Sequence, residues 1–388
     1  MVGLIALVAA LAAVVFFAGA RRSVGERESR QARVDAALAA GGRAILAHDV
    51  AAWDAALPAG RASTRRSWRK VFASLSRYSW AGLQFKAEPV DDVQRVYGVT
   101  VRGRLRGSNA WTTVYVCALS LRWSSDRVSL RMNVTPFDRR RDRFLAFTHP
   151  LVMRRDHIIV VGERRQKALM SRIAARDDQA EVVIRRLRLD PQAADVKHVT
   201  TVFVCSSRLQ AARASASRKT DAETSAFETS GSIYFIAPQL SGWRSTLGSV
   251  LRHELAHRYA PRFGDGKHHV GLLIEGLAVA VQGDYGYEVV QSQLRRGRLA
   301  LPLIKALAQE NIQKGRTRHE IELAYEEGGT LVEYIWKRWG LERLRRFADT
   351  VAASDMTPAG IRHATRETLG VGWKQLESGW ERFVPTAK

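Results

Sequence analysis

Residues 247–261, LGSVLRHELAHRYAP, constrain the fold more than any other stretch of the chain. On an α-helix, positions i and i+4 lie one above the other on one face. A helical His253 and His257 would therefore present two imidazoles to a single ion. Glu254 follows the first imidazole, where its carboxylate can reach a water held at that ion, the logic of the H-E-x-x-H pattern. Pro261 ends the helix just past the second imidazole. A catalytic zinc needs a third protein ligand and keeps a fourth position for water. Glu275, in the run GLLIEGLAVAV over residues 271–281, can supply it. A carboxylate buried unpaired in such an apolar helix would be costly or would neutralise itself. One zinc ion answers that cost, with His253, His257 and Glu275 as its ligands and Glu254 as the catalytic base. Gly276 lets the second helix approach another backbone closely.

HELAH followed by LLIEGLAVAV resembles the peptidase MA-like gluzincins, where the H-E-x-x-H segment is followed about twenty residues later by E-G-x-A. Residues 324–340, AYEEGGTLVEYIWKRWG, look like the next helix of that family, and residues 369–380 like its closing segment. The resemblance covers roughly residues 150–384. It implies a zinc metallopeptidase in which Glu254 is first base and then the acid that protonates the leaving amine. It implies Tyr325, which opens the facing helix, as the donor to the developing oxyanion. The other reading of Tyr325 is an aromatic packed against Gly328 and Gly329. The resemblance also makes Gly231–Ala237 the edge strand that pairs with an extended peptide. Two departures matter. The aminopeptidase G-x-M-E-N motif is missing, so an exopeptidase of that type is not expected. Val279 stands where thermolysin-like members carry an Asp, leaving Asp284 or a backbone carbonyl to orient a ligating histidine. His268 and His269, between the ligand segments, read as surface residues at the flank of the cleft.

Elsewhere the chain shows two folded regions behind an apolar start. Residues 2–20 carry no charge and are long enough to cross a bilayer as a helix. Ala18-Gly19-Ala20 could also serve as a signal-peptide cleavage site, but no basic residue precedes the apolar run, which favours a retained anchor. Arg21 and Arg22 favour a cytoplasmic remainder by the positive-inside rule, whereas the resemblance favours an extracytoplasmic catalytic domain, and the extracytoplasmic placement is the one expected. Residues 31–57 show helical spacing through Val34, Ala37, Leu38, Ile45 and Leu46, weakened by Gly41 and Gly42. Three alternating runs, from Tyr97, from Tyr115 and from Val128, read as an antiparallel meander. Helix followed by curved sheet loosely resembles the cone-shaped nuclear-transport-factor-like domain. A basic linker spans residues 136–144. Beyond it come a strand at 157–161, one helix through Leu169 and Leu187, a strand at 199–205, a loop at 206–226 and a strand at 231–237.

The 61 Lys and Arg outnumber 38 Asp and Glu, giving +23, so an anionic surface or polymer is a further partner. No nucleic-acid module is recognisable, and none is expected as a specific partner. Cys117 and Cys205 sit in strand-like runs and read as buried thiols. The expectation is therefore an α+β chain in three parts: a transmembrane helix over 1–22, a small cone-like domain over 23–137, and a gluzincin-type domain over 138–388 with a mixed sheet followed by helices. Its expected function is a membrane-anchored, single-pass zinc endopeptidase acting on peptides or proteins. The alternatives are a catalytically silent membrane-bound binding protein on the same fold, or a basic wall-polymer or nucleic-acid binder.

Overall fold

The computed structural model describes residues 28–387, except 92–95, 109–110, 124–127, 131–134, 137–145, 216–225, 230, 243–245, 261–262, 265, 284–286, 298–301 and 314–315. The chain divides into two compact units, the described residues of Met1–Pro150 with Ala212–Arg218, and those of Leu151–Ala211 with Lys219–Lys388.

In the first unit, α1 (residues 28–46) buries Val34, Leu38, Gly41 and Ile45, a stripe at helical spacing. It runs through both glycines; a Cβ at Gly41 would sit 3.0 Å from the Trp53 ring, so the small residue admits that indole. The expected single helix ends instead where His48 turns left-handed (φ 55°). Asp49 then caps α2 (Val50–Ala56), accepting from the amides of Ala51 and Ala52. Trp68 of α3 (Ala62–Leu75) stacks on Trp53, ring centroids 4.1 Å apart. The sheet runs β1 (Trp80–Asp91), β2 (Val96–Leu105), β3 (Thr112–Trp123), β4 (Val128–Leu130), with β5 (Thr135–Pro136) also paired to β3. These pairings are antiparallel. The 136–144 linker falls almost wholly outside the described residues.

The second unit holds a sheet of order β6 (Pro150–Arg154), β7 (Ile158–Glu163), β8 (Thr200–Cys205), β10 (Ser232–Ile236), β9 (Ala226–Thr229). β7, β8 and β10 are parallel, and β9 runs antiparallel on the edge. The three parallel strands are buried at every position, the mark of strands covered on both faces. The helix expected between β7 and β8 is two, α4 (Lys167–Ala174) and α5 (Gln179–Arg186), followed by the short α6 (Ala194–Lys197). The expected loop at 206–226 begins with α7 (Arg208–Ser215). After β10 the chain is helical: α8 (Leu247–Tyr259), α9 (Gly271–Gln282), α10 (Glu288–Arg295), α11 (Leu303–Leu307), α12 (Arg318–Trp339), α13 (Leu341–Ala353), α14 (Pro358–Leu369) and α15 (Trp373–Phe383). Cys117 and Cys205 are free and buried.

Two expectations are corrected. The α+β class headed by a membrane helix gives way to a mixed α/β fold with two five-stranded sheets among the described residues. The helices between β7 and β8 are the crossover that lets those two strands pair in parallel. Among the described residues no helix is long and apolar enough to cross a membrane, so the single-pass membrane assignment is not supported. The longest helix among the described residues, α12, carries Arg318, Glu320, Glu322, Glu333, Lys337 and Arg338. Residues 1–22, on which that expectation rested, lie outside the described residues.

Candidate metal centre

α8 starts at Thr246, whose hydroxyl accepts from the Ser249 amide. Its apolar face, with Val250, Leu251 and Leu255, joins the core that includes Ile233 and Phe235 of β10. His253 and His257, half-buried and one helical turn apart, lie on one face of this helix. α9 lies against α8 and brings Glu275 to the same point.

The three donor atoms form a nearly equilateral triangle. His253 Nε2 lies 3.2 Å from Glu275 Oε2 and 3.2 Å from His257 Nε2, and His257 Nε2 lies 3.4 Å from Glu275 Oε2. Zinc with tetrahedral bonds of about 2.0–2.1 Å has donor-to-donor edges of about 3.3–3.4 Å. The triangle fits one face of such a tetrahedron. The two imidazoles stand edge to face, 77° between planes, so their nitrogens converge without stacking. The side chains are 12, 17 and 22% exposed for His253, His257 and Glu275, so the cluster is largely but not wholly buried.

The electrostatics follow from crowding ionisable groups together. Burial works to raise Glu275, but the His257 charge and hydrogen bonds from both histidines more than offset it and hold the carboxyl far below its usual range. The same pair, seen from the other side, pushes His257 up to about 9 against the effect of burial. Burial pushes Glu254 up, opposed by the charges of the two histidines.

Two arginines secure α9. Arg252 of α8 donates through Nε to the Gln282 carbonyl (2.8 Å), and Arg186 of α5 donates to the Val281 carbonyl (2.7 Å). Positive charge on the last carbonyls complements the helix dipole there. Gly283 ends α9 in the left-handed region, φ 77°.

α12 packs on α9 backbone to backbone. A Cβ at Gly276 would lie 2.3 Å from the Gly328 carbonyl oxygen, and one at Gly328 would lie 2.4 Å from that of Leu272. This close approach brings Tyr325 to the cluster, its ring stacked against His253 with centroids 6.0 Å apart. Gln313 donates to the Tyr325 hydroxyl at 2.7 Å. Burial first, and then the Glu275 charge, keep that phenol protonated well above its ordinary range. The structure thus brings His253, Glu254, His257, Glu275 and Tyr325 together.

Other expected residues fall elsewhere. Gly231–Ala237 is not the sheet edge: β10 is covered by β9, and β9 is the outer strand beside α8. Val279 is used in packing, since a Cβ at Gly329 would meet it at 2.5 Å. Asp284 lies outside the described residues. His268 is paired with Glu310 (Nδ1 to Oε1, 2.9 Å), and His269 is exposed. A cavity of about 600 Å³ is lined by Arg172, Arg176, Thr246, Leu247 and Val250 among others, and none of the five site residues lines it.

Sequence reasoning passed over Arg186, Arg252, Gln313 and Glu228. Glu228, on β9, accepts from the Gly231 amide at 2.7 Å, and its charge acts on both Glu254 and His257. None of the four carries a spacing signal: Arg186, Gln313 and Glu228 lie outside the two ligand helices, and Arg252, though on α8, bonds the Gln282 carbonyl rather than the cluster. A scan against protein-family models finds no match, and a search of the curated proteins finds no relative. The resemblance to the peptidase MA-like gluzincins therefore rests on the residues themselves.

Proposed function

We propose that this chain is a zinc-dependent endopeptidase of the gluzincin kind, with His253, His257 and Glu275 as zinc ligands. The donor triangle, with edges of 3.2, 3.2 and 3.4 Å, is the observation that carries the reading. Zinc, when bound, supplies Lewis-acid polarisation of a carbonyl and acidifies water. The chain's own residues supply the rest. Glu254 adjoins the first ligand, and burial raises its affinity for a proton, which suits a base that must accept one and later return it to a leaving amine. Tyr325 stays protonated beside the cluster, as a donor to an oxyanion must. β9, an outer strand against α8, offers backbone groups to an extended peptide by strand addition. Among the described residues three side chains gather at this point, whereas structural zinc sites close the coordination sphere with four protein ligands.

The test is direct. The purified chain should contain about one zinc per molecule by elemental analysis and should cleave casein or a mixed peptide pool, with activity lost to a chelator and restored by zinc. Glu254→Gln should keep the zinc and lose at least about a thousandfold in rate, since proton transfer and carboxylate charge disappear together. Zinc retained by the wild type without hydrolysis of any peptide would turn the reading toward a binding protein on this fold.

A further inference from the structure

We infer that Gln313 is a positioning residue that fixes the direction in which Tyr325 offers its proton, an inference that rests on the peptidase reading above. Gln313 lies on the segment joining α11 to α12, and every described part of that segment is tied down. The Glu310 carbonyl sits where a Cβ at Gly271 would collide with it at 2.6 Å, so the segment rests directly on the first turn of α9. The Glu310 carboxylate holds His268. Ile312 is 2% exposed and belongs to the core. The Gln313 amide donates to Asn311 Oδ1 at 2.8 Å, and Gln309 accepts from the Arg316 guanidinium. A flexible loop could not hold an amide side chain at a defined site. This one, anchored on the helix that carries Glu275, can.

The chemistry turns on which partner donates. Gln313 Nε2 is the donor and the Tyr325 oxygen the acceptor. An accepting hydroxyl keeps its own proton for another partner. The phenol ring lies against the His253 ring and the Glu275 charge acts on it, so the proton not engaged by Gln313 is turned toward the ligand cluster. Without the amide, the hydroxyl is free to rotate about its C–O bond, and its donor direction is no longer set before substrate arrives. Pre-set direction is what gives such a donor its value in a transition state. Gln313 is bonded to Tyr325 and is not one of the three ligand residues; it acts through Tyr325.

The experiment is a double-mutant cycle on the zinc-loaded full chain, using whichever peptide it cleaves. Gln313→Met keeps the length of the side chain and removes the donor. It should lower kcat roughly 10- to 100-fold, the usual cost of losing an orienting partner, with KM and zinc content unchanged. Gln313→Glu, which can only accept when ionised, should lose as much despite its near-identical shape. In a Tyr325→Phe background neither change should cost anything further, because the group being oriented is gone. A kcat within twofold of wild type in Gln313→Met overturns the inference and leaves the peptidase reading standing. So does an equal loss with and without Tyr325, which marks a packing role. A wild-type chain that binds zinc but cleaves nothing overturns both.

Discussion

His257 and Glu275 make the sharpest single-residue prediction. In the metal-free protein burial opposes the charged ring, yet the Glu275 charge and hydrogen bond raise it from the ordinary 6.5 to about 9. The carboxyl of Glu275 is depressed by the same pairing, against the push of burial. A raised histidine stabilises the fold fully below its ordinary value and loses that contribution as pH climbs through about 9. A depressed carboxylate contributes above its ordinary 4.5 and loses the contribution as pH falls through the folded value. The metal-free chain should therefore gain most from this pair between about pH 4.5 and 6.5 and lose thermal stability toward pH 9. Zinc accepts only the neutral ring, so binding must expel that proton. Apparent zinc affinity should rise by about tenfold per pH unit between pH 6 and 8, measured against a competing chelator corrected for its own protonation. A flat profile would mean the two side chains are not coupled as found. Glu275→Gln should abolish the slope assigned to His257 and weaken zinc binding by at least about a hundredfold.

The element scale is governed by the contact between α9 and α12. Gly276→Ala forces a methyl to within 2.3 Å of the Gly328 oxygen, a backbone atom that cannot rotate away. Overpacking of this kind costs about 1–3 kcal/mol, and here the helices themselves must separate. The expected result is a lower denaturant midpoint together with weaker zinc binding, because the neighbouring Glu275 moves with α9. Gly60→Ala, a position with open space around it, should leave both unchanged. A Gly276→Ala variant as stable as wild type would show that the helices are less tightly opposed than this. Sequence carried some of this and not the rest, for physical reasons. The spacing of His253, His257 and Glu275 was legible because ligation demands one face of one helix and a polar intruder in an apolar neighbour. β7, β8 and β10 were legible as short apolar runs between breakers. β1 was not: Gly82, Lys86, Glu88 and Pro89 obscure its alternation, and its role is clear only once the Trp80 ring is seen covering Gly103. The break between α4 and α5 was invisible because Ile173, Ala180, Val183 and Leu187 feed the same core on either side of it. α7 has scarcely any apolar stripe to detect.

For the molecule as a whole, the question is how much of the chain the site needs. The apolar cluster that encloses α8, α9 and α12 begins at Ile158 and ends at Ala387. None of its members comes from α1 to α3 or from β1 to β5. His253, Glu254, His257, Glu275, Gln313 and Tyr325, with the arginines that hold α9, all belong to the second unit. A core of this extent lies well within what an independent domain can bury, since chains above about 150 residues cover most of their apolar surface alone. A chain beginning at His149 should therefore fold cooperatively, bind one zinc with the affinity of the full chain, and cleave a short peptide with the same kcat. Of its described residues, 149–150 and 212–215 would then lack the unit with which they group. If instead the shortened chain aggregates or fails to take up zinc, the two units form a single cooperative system. If it binds zinc normally and cleaves short peptides but not proteins, the first unit serves in substrate capture. Circular dichroism melts, zinc stoichiometry and the ratio of short-peptide to protein cleavage separate these outcomes.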